Sequence, residues 1–213
     1  MMYDFKVYYS DDIGKAIKTA ETLGLKGVCV VFHKENMRES LNFKVNTALH
    51  ILKGVEIEIN SQKDIQNSNA LEEFDLIFAK IKNENLALDT LKSRKIQIVN
   101  FDDVSVEQSY LRLAKDTNKA IEICFKGLRN NRQSIKKYKK IAEITKRKHF
   151  ATNILFTSGA TSWNELLGKE EARAICSVLL KMNLSQAKAA VYCKNLLNQC
   201  DKNYLAEGVE IIE

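Results

Sequence analysis

Ten basic residues fall between Lys126 and Lys148: Lys126, Arg129, Arg132, Lys136, Lys137, Lys139, Lys140, Lys146, Arg147 and Lys148. Glu143 is the one acid among them, so the segment carries +9 in a chain whose net charge is +6. The remainder of the chain is therefore at −3, and the protein is not basic in general. On one unbroken helix, Arg129, Arg132, Lys136 and Lys140 stand at i, i+3, i+7 and i+11, a ridge beside an apolar stripe of Ile135, Tyr138, Ile141 and Ala142. Like charges at that spacing repel, so such a helix gains from an anionic partner. Phosphates would supply it, with counterion release as the drive. The plain alternative is a solvated surface helix.

Other residues could also do chemistry. Thr157-Ser158-Gly159-Ala160-Thr161-Ser162 offers hydroxyls and open amides, the equipment of a phosphate-cradling loop or of an ordinary turn after a strand. No second glycine or lysine completes a P-loop. Of the three histidines, His33 sits just past an apolar run, His50 lies near a helical stretch, and His149 extends the basic segment. Trp163 follows the Ser-Gly turn, where packing is the expected role and base stacking the lesser one. Cys29, Cys124, Cys176, Cys193 and Cys200 form no pair at metal-ligand spacing. Cys29 and Cys124 lie in apolar runs and read as buried, reduced thiols of an intracellular protein.

The elements that must position these residues alternate. Strands are expected at Phe5–Tyr9, Gly27–Phe32, Gly54–Ile59, Phe74–Ala79, Ile96–Val99, Ala120–Phe125 and Asn153–Phe156. Helices are expected at Ser10–Leu23, about Leu41–Leu52, Asn83–Lys92, Gln108–Thr117, Leu128–Lys148, Lys169–Lys181 and Ser185–Gln199. Seven strands interleaved with helices imply right-handed βαβ units. An open doubly wound sheet would fit, but the short repeat favours a TIM-barrel-like α/β fold, a distorted β/α barrel of about seven parallel strands. One domain is expected over residues 1–213, with about 201–213 as a C-terminal tail. The 213 residues contain no proline, which excludes polyproline linkers. No apolar run approaches the length of a membrane span, and Met1–Asp12 has no signal-peptide core.

Two stretches carry a family resemblance. Ile154-Leu155-Phe156-Thr157-Ser158-Gly159-Ala160 is followed by Trp163, Glu165-Leu166-Leu167 and Glu170-Glu171-Ala172, then by Leu184-Ser185-Gln186-Ala187-Lys188-Ala189-Ala190-Val191. This block resembles archaeal ribonuclease P protein component 3, the counterpart of the thirty-kilodalton subunit of eukaryotic ribonuclease P. The basic stretch from Arg129 matches the family's basic positions after its sixth strand. The family is related to the polymerase and histidinol phosphatase (PHP) phosphoesterases. Asp4-Phe5-Lys6-Val7-Tyr8 looks like the PHP motif Asp-Leu-His-x-His with both histidines replaced, by Lys6 and Tyr8. Val31-Phe32-His33 looks like Thr-Asp-His without its acid, and Gly54-Val55-Glu56 keeps the third motif's glutamate. His33 and Glu56 are thus the degenerate remnant of a metal site, and no metal is expected there.

The resemblance implies a noncatalytic protein subunit of ribonuclease P. That enzyme is an endonuclease that removes the 5′ leader of precursor tRNA by RNA catalysis. The chain would bind no cofactor itself; Mg²⁺ would be required by the ribonuclease P RNA. Implied partners are that RNA, precursor tRNA indirectly, an RRM-like subunit (component 2) in a heterotetramer, and other ribonuclease P proteins, without a membrane. A cytoplasmic, archaeal setting is implied. The expected RNA contacts are Arg129, Arg132, Lys136, Lys137, Lys139 and Lys140, with Lys146, Arg147 and Lys148 behind them. Ser158 and Gly159 would add hydroxyl and backbone donors. Two rival readings are a stand-alone PHP-type metal-dependent phosphoesterase and an α/β scaffold that binds only protein.

Overall fold

The structure, a computed structural model, describes residues 2–146 and 153–183, with residues 185, 187, 190, 194–200, 204–206 and 209–210 beyond them. Its strands follow the apolar runs. They are β1 (Tyr3–Tyr8), β2 (Gly27–Phe32), β3 (His50–Ile59), β4 (Leu76–Ile81), β5 (Ile98–Asn100), β6 (Ala120–Cys124) and β7 (Asn153–Thr157). They lie side by side in chain order, and every neighbouring pair is parallel. The sheet curls until β7 returns to β1, where Tyr8 N–H donates to the Ala160 carbonyl at 2.8 Å beside a Val7–Ala160 bridge. The result is the expected TIM-barrel-like fold, nearly closed.

Among the described residues the surrounding helices are α1 (Ile13–Thr22), α2 (Glu39–Asn42), α3 (Gln62–Asn67), α4 (Ala87–Lys92), α5 (Gln108–Asp116), α6 (Phe125–Asn130), α7 (Arg132–Ile144), α8 (Lys169–Leu179) and α9 (Lys194–Cys200). Alternate strand residues face two cores. Val28, Val30 and Phe32 pack outward under the helices, while Cys29, Val31, Phe78, Ile98 and Leu155 fill the barrel interior with Phe5. Leu196 of α9 joins that inner cluster. The described ends of the expected tail, Tyr204–Ala206 and Val209–Glu210, pair as antiparallel strands β8 and β9.

Two expected helices are corrected. The stretch Leu41–Leu52 is helical only through Asn42, and its end is strand: His50, Ile51 and Leu52 align with Gly27, Val28 and Cys29. Barrel pairing here overrides a helical period. At Gly27 a side chain would sit 2.4 Å from the His50 carbonyl oxygen, so the strands meet this closely only at glycine. The single helix Leu128–Lys148 is instead α6 and α7. Asn131 between them is extended (φ −139°, ψ 106°), and its side chain accepts from Gln133 N–H at 2.9 Å. Asparagine is a strong N-cap residue, and here it starts a new helix. Arg129 and Arg132 therefore stand on different helices, and the continuous ridge does not exist.

Candidate functional site

β1 contains a bulge: Asp4 pairs with Val28, but Val7 pairs with Val30. The extra residue re-aims the strand, so that Phe5 packs in the barrel interior and Lys6 points there too. The Lys6 side chain is 2% exposed. Its ammonium forms an ion pair with Glu56 of β3 and donates to Glu122 of β6 at 2.9 Å. It also lies over the rings of Tyr8 and Phe78. Burial alone would depress an ammonium pKa. The two carboxylates, Glu122 foremost, outweigh it and hold Lys6 well above the ordinary lysine value. Burial opposes ionisation of Glu56 as well, but Lys6 and a hydrogen bond from the Tyr8 hydroxyl (3.0 Å) bring it below the ordinary glutamate value.

Glu122 is fully buried and well partnered, accepting from Lys6, from Asn100 Nδ2 at 3.1 Å and from the Thr157 hydroxyl at 2.8 Å. Asn100 in turn donates to Asp102 at 3.2 Å, and Asp102 accepts from the Tyr138 hydroxyl of α7 at 2.7 Å. A polar chain thus runs from the barrel centre to the basic helix. Asp4 lies at the barrel seam, where its Oδ1 accepts from the backbone N–H groups of Lys6 and Ser158 at 3.2 Å each. Its Oδ2 is buried without a hydrogen-bond partner among the described residues, and burial raises its pKa to about 6 against the pull of these hydrogen bonds.

The four PHP-motif positions do converge. Lys6, Tyr8 and Glu56 touch, and the half-exposed His33 ring stacks on Tyr8 (centroids 4.6 Å apart) with Nδ1 3.8 Å from Glu56. His50 is instead exposed at the start of β3, 3.3 Å from the Tyr3 hydroxyl. The sequence reading missed Glu122, Asn100 and Asp102. Glu122 had a signal: it is the one charged residue in an otherwise apolar strand.

The described basic residues divide into four groups. Arg132, Lys136 and Lys140 are exposed on α7 with Lys139 half-buried beside them, and none of the four side chains has an ion pair or hydrogen bond among the described residues. Tyr138, Ile141 and Ala142 bury the opposite face. Lys137 differs: its ammonium donates to the carbonyls of Phe101, Asp102 and Val104 at 2.5, 2.9 and 3.3 Å. Burial also holds its pKa below the ordinary value. It ties α7 to the loop after β5. Lys126 and Arg129 of α6 both pair with Glu165, at 3.5 and 3.1 Å. Exposed Lys146 donates to the Lys181 carbonyl at 3.3 Å, and Arg147, Lys148 and His149 lie outside the described residues.

Ser158 and Gly159 are buried, and the Ser158 groups turn inward. The Ser158 amide donates to Asp4, and its hydroxyl accepts from Ala160 N–H at 3.0 Å and lies 3.4 Å from the Lys6 carbonyl. Trp163 is 47% exposed, less packed than its sequence suggested. Cys29, Cys124 and Cys176 are buried free thiols, and burial pushes each pKa up. Among the described residues no group of three or more His, Cys, Asp or Glu is arranged to hold a metal ion, and no helix is long and apolar enough to cross a membrane.

The model of the family described as RNase P subunit p30 matches residues 1–203. A chain from the cryo-EM structure of archaeal ribonuclease P with mature tRNA aligns with a TM-score of 0.75 at 18% identity, over 99% of this chain and 98% of that one. Histidinol phosphate phosphatase from Lactococcus lactis, complexed with zinc, L-histidinol and phosphate, aligns with a TM-score of 0.51 at 13% identity, over 93% of both chains. At these identities the structural likeness establishes the barrel. No curated protein matches the chain.

Proposed function

The chain belongs to the RNase P subunit p30 family, and on that premise we propose that it serves ribonuclease P as a noncatalytic, RNA-binding subunit. The observation that carries the RNA-binding reading is the outer face of α7. Arg132, Lys136, Lys139 and Lys140 stand there without a counter-ion among the described residues, while the apolar side of the same helix is locked to the barrel. Such cations position a protein on phosphates without reading sequence. The protein supplies positive charge on a rigid barrel, and cleavage of precursor tRNA belongs to the RNA with its Mg²⁺. Other ribonuclease P proteins, including an RRM-like subunit in a heterotetramer, are partners in this reading. A cytoplasmic, archaeal setting goes with it.

The phosphoesterase alternative is less supported, and the Lys6 geometry counts against it. A zinc-type centre needs several ligands converging on an open cation position. Here the Lys6 ammonium stands between Glu56 and Glu122, supplying positive charge where a metal would have to sit. The residues present do not fit a metal.

The test is RNA affinity as a function of salt. Replacing Arg132, Lys136 and Lys140 of α7 together by alanine should weaken binding to the ribonuclease P RNA and flatten the logarithmic salt slope by about 2 to 3. An unchanged slope removes this face from the RNA contact.

A further inference from the structure

After β7 the chain turns through Ser158, Gly159, Ala160 and Thr161. Gly159 has φ +65°, and a side chain there would fall 2.3 Å from Cys124 Sγ, so the turn is held tightly against β6. The 3₁₀ turn Trp163–Glu165 then folds the Glu165 carboxylate back over it. Four donors converge on that carboxylate: Thr161 N–H at 2.8 Å, the Thr161 hydroxyl at 2.9 Å, Lys126 Nζ at 3.5 Å and Arg129 Nη2 at 3.1 Å. Lys126 also donates to the Thr161 hydroxyl at 2.7 Å. Hydrogen bonds from the Thr161 amide and hydroxyl, then the two cations, lower the Glu165 pKa to about 2.

Two cations around one anion leave the cluster positive. It is open to solvent, with the Arg129 side chain 53% and Glu165 21% exposed. A main-chain amide, a hydroxyl, an ammonium and a guanidinium are also the donors that hold a phosphate. We propose that Thr161, Lys126 and Arg129 form a cradle for a backbone phosphate of RNA, and that Glu165 is its resident substitute, displaced when RNA binds. This inference rests on the RNA-binding reading above and adds to it a site outside α7 and a built-in competitor. Exchange is feasible because ion pairs this close to solvent hold weakly, and a phosphodiester brings the same charge and two oxygens. The half-exposed indole of Trp163, two residues before Glu165, stands where a neighbouring base could stack.

The experiment titrates full-length protein with ribonuclease P RNA at 50 and 200 mM KCl, comparing wild type with Glu165→Gln and Arg129→Ala. Glu165→Gln should bind more tightly than wild type. Removing the competitor's single negative charge should make that gain about three- to fourfold larger at 50 mM than at 200 mM. Arg129→Ala, which does not disturb the turn, should lower the salt slope by about 1. Glu165→Gln binding no more tightly than wild type would overturn the proposal, as would Arg129→Ala with an unchanged slope. In both cases salt-dependent wild-type binding would leave the RNA-binding reading intact. Absence of any salt-dependent wild-type binding would remove that reading and this inference together.

Discussion

Lys6→Met tests the barrel centre most directly. The change keeps much of the side-chain volume but removes the ammonium between Glu56 and Glu122, whose side chains are 10% and 0% exposed. Breaking a buried ion pair by deleting one partner typically costs about 3–5 kcal/mol, because the other charge stays buried and uncompensated. Here two carboxylates are left. In the wild type, Lys6 lies above its ordinary pKa, so its contribution is complete below the unfolded lysine value and lost only as pH rises through the higher folded one. Glu56 lies below its ordinary pKa, so its contribution is present above the unfolded value and lost as pH falls through the lower folded one. Wild-type stability from this cluster is therefore level from mildly acid to mildly alkaline pH. Without Lys6, the burial of Glu56 is no longer opposed by the ammonium and raises its pKa, which favours folding only while it is protonated. The penalty should then be full near pH 8 and shrink towards pH 5. Guanidinium unfolding at the two pH values measures it through the midpoint and slope. A loss under about 1 kcal/mol at pH 8, or the same loss at both values, would refute this account. Adding Glu56→Gln and Glu122→Gln should recover much of the stability, since a neutral cluster has no charge to desolvate.

Other expectations follow from single contacts. Asp4 is raised to about 6 by burial, so ionising it costs stability as pH rises from about 4 to about 6. Relative to wild type, Asp4→Asn should therefore gain about 3 kcal/mol between pH 3.5 and pH 8, and a flat difference in urea midpoints would contradict the linkage. Gly159→Ala meets both a left-handed backbone and the Cys124 sulfur, and should cost about 2 kcal/mol, or about 4–8 °C in Tm by calorimetry. An unchanged melt would show that the turn can relax.

Much of the barrel was legible because its strands are buried on both faces. Gly27–Phe32 is a continuous apolar run whose observed bounds equal those expected. Helix ends were less legible where one residue type serves two purposes. Asn131 looks like an ordinary residue inside a helical period, and only its extended backbone reveals a cap that divides α6 from α7. The motif positions Lys6, Tyr8, His33 and Glu56 could be named from the family resemblance, but Glu122 could not be joined to them, since 116 residues separate it from Lys6.

By itself the sequence determined the alternation of strands and helices, the family and the placing of +9 on one segment. Those follow from local composition and order. Only the tertiary structure decided what each charge does. Lys137 is spent on loop carbonyls, Lys126 and Arg129 share a carboxylate, and Lys6 neutralises two buried glutamates, while Arg132, Lys136, Lys139 and Lys140 have no partner among the described residues. The reason is distance. Net charge adds up along a chain, but a charge can meet RNA without displacing a partner only if barrel closure has brought no carboxylate or carbonyl within about 3–4 Å of it.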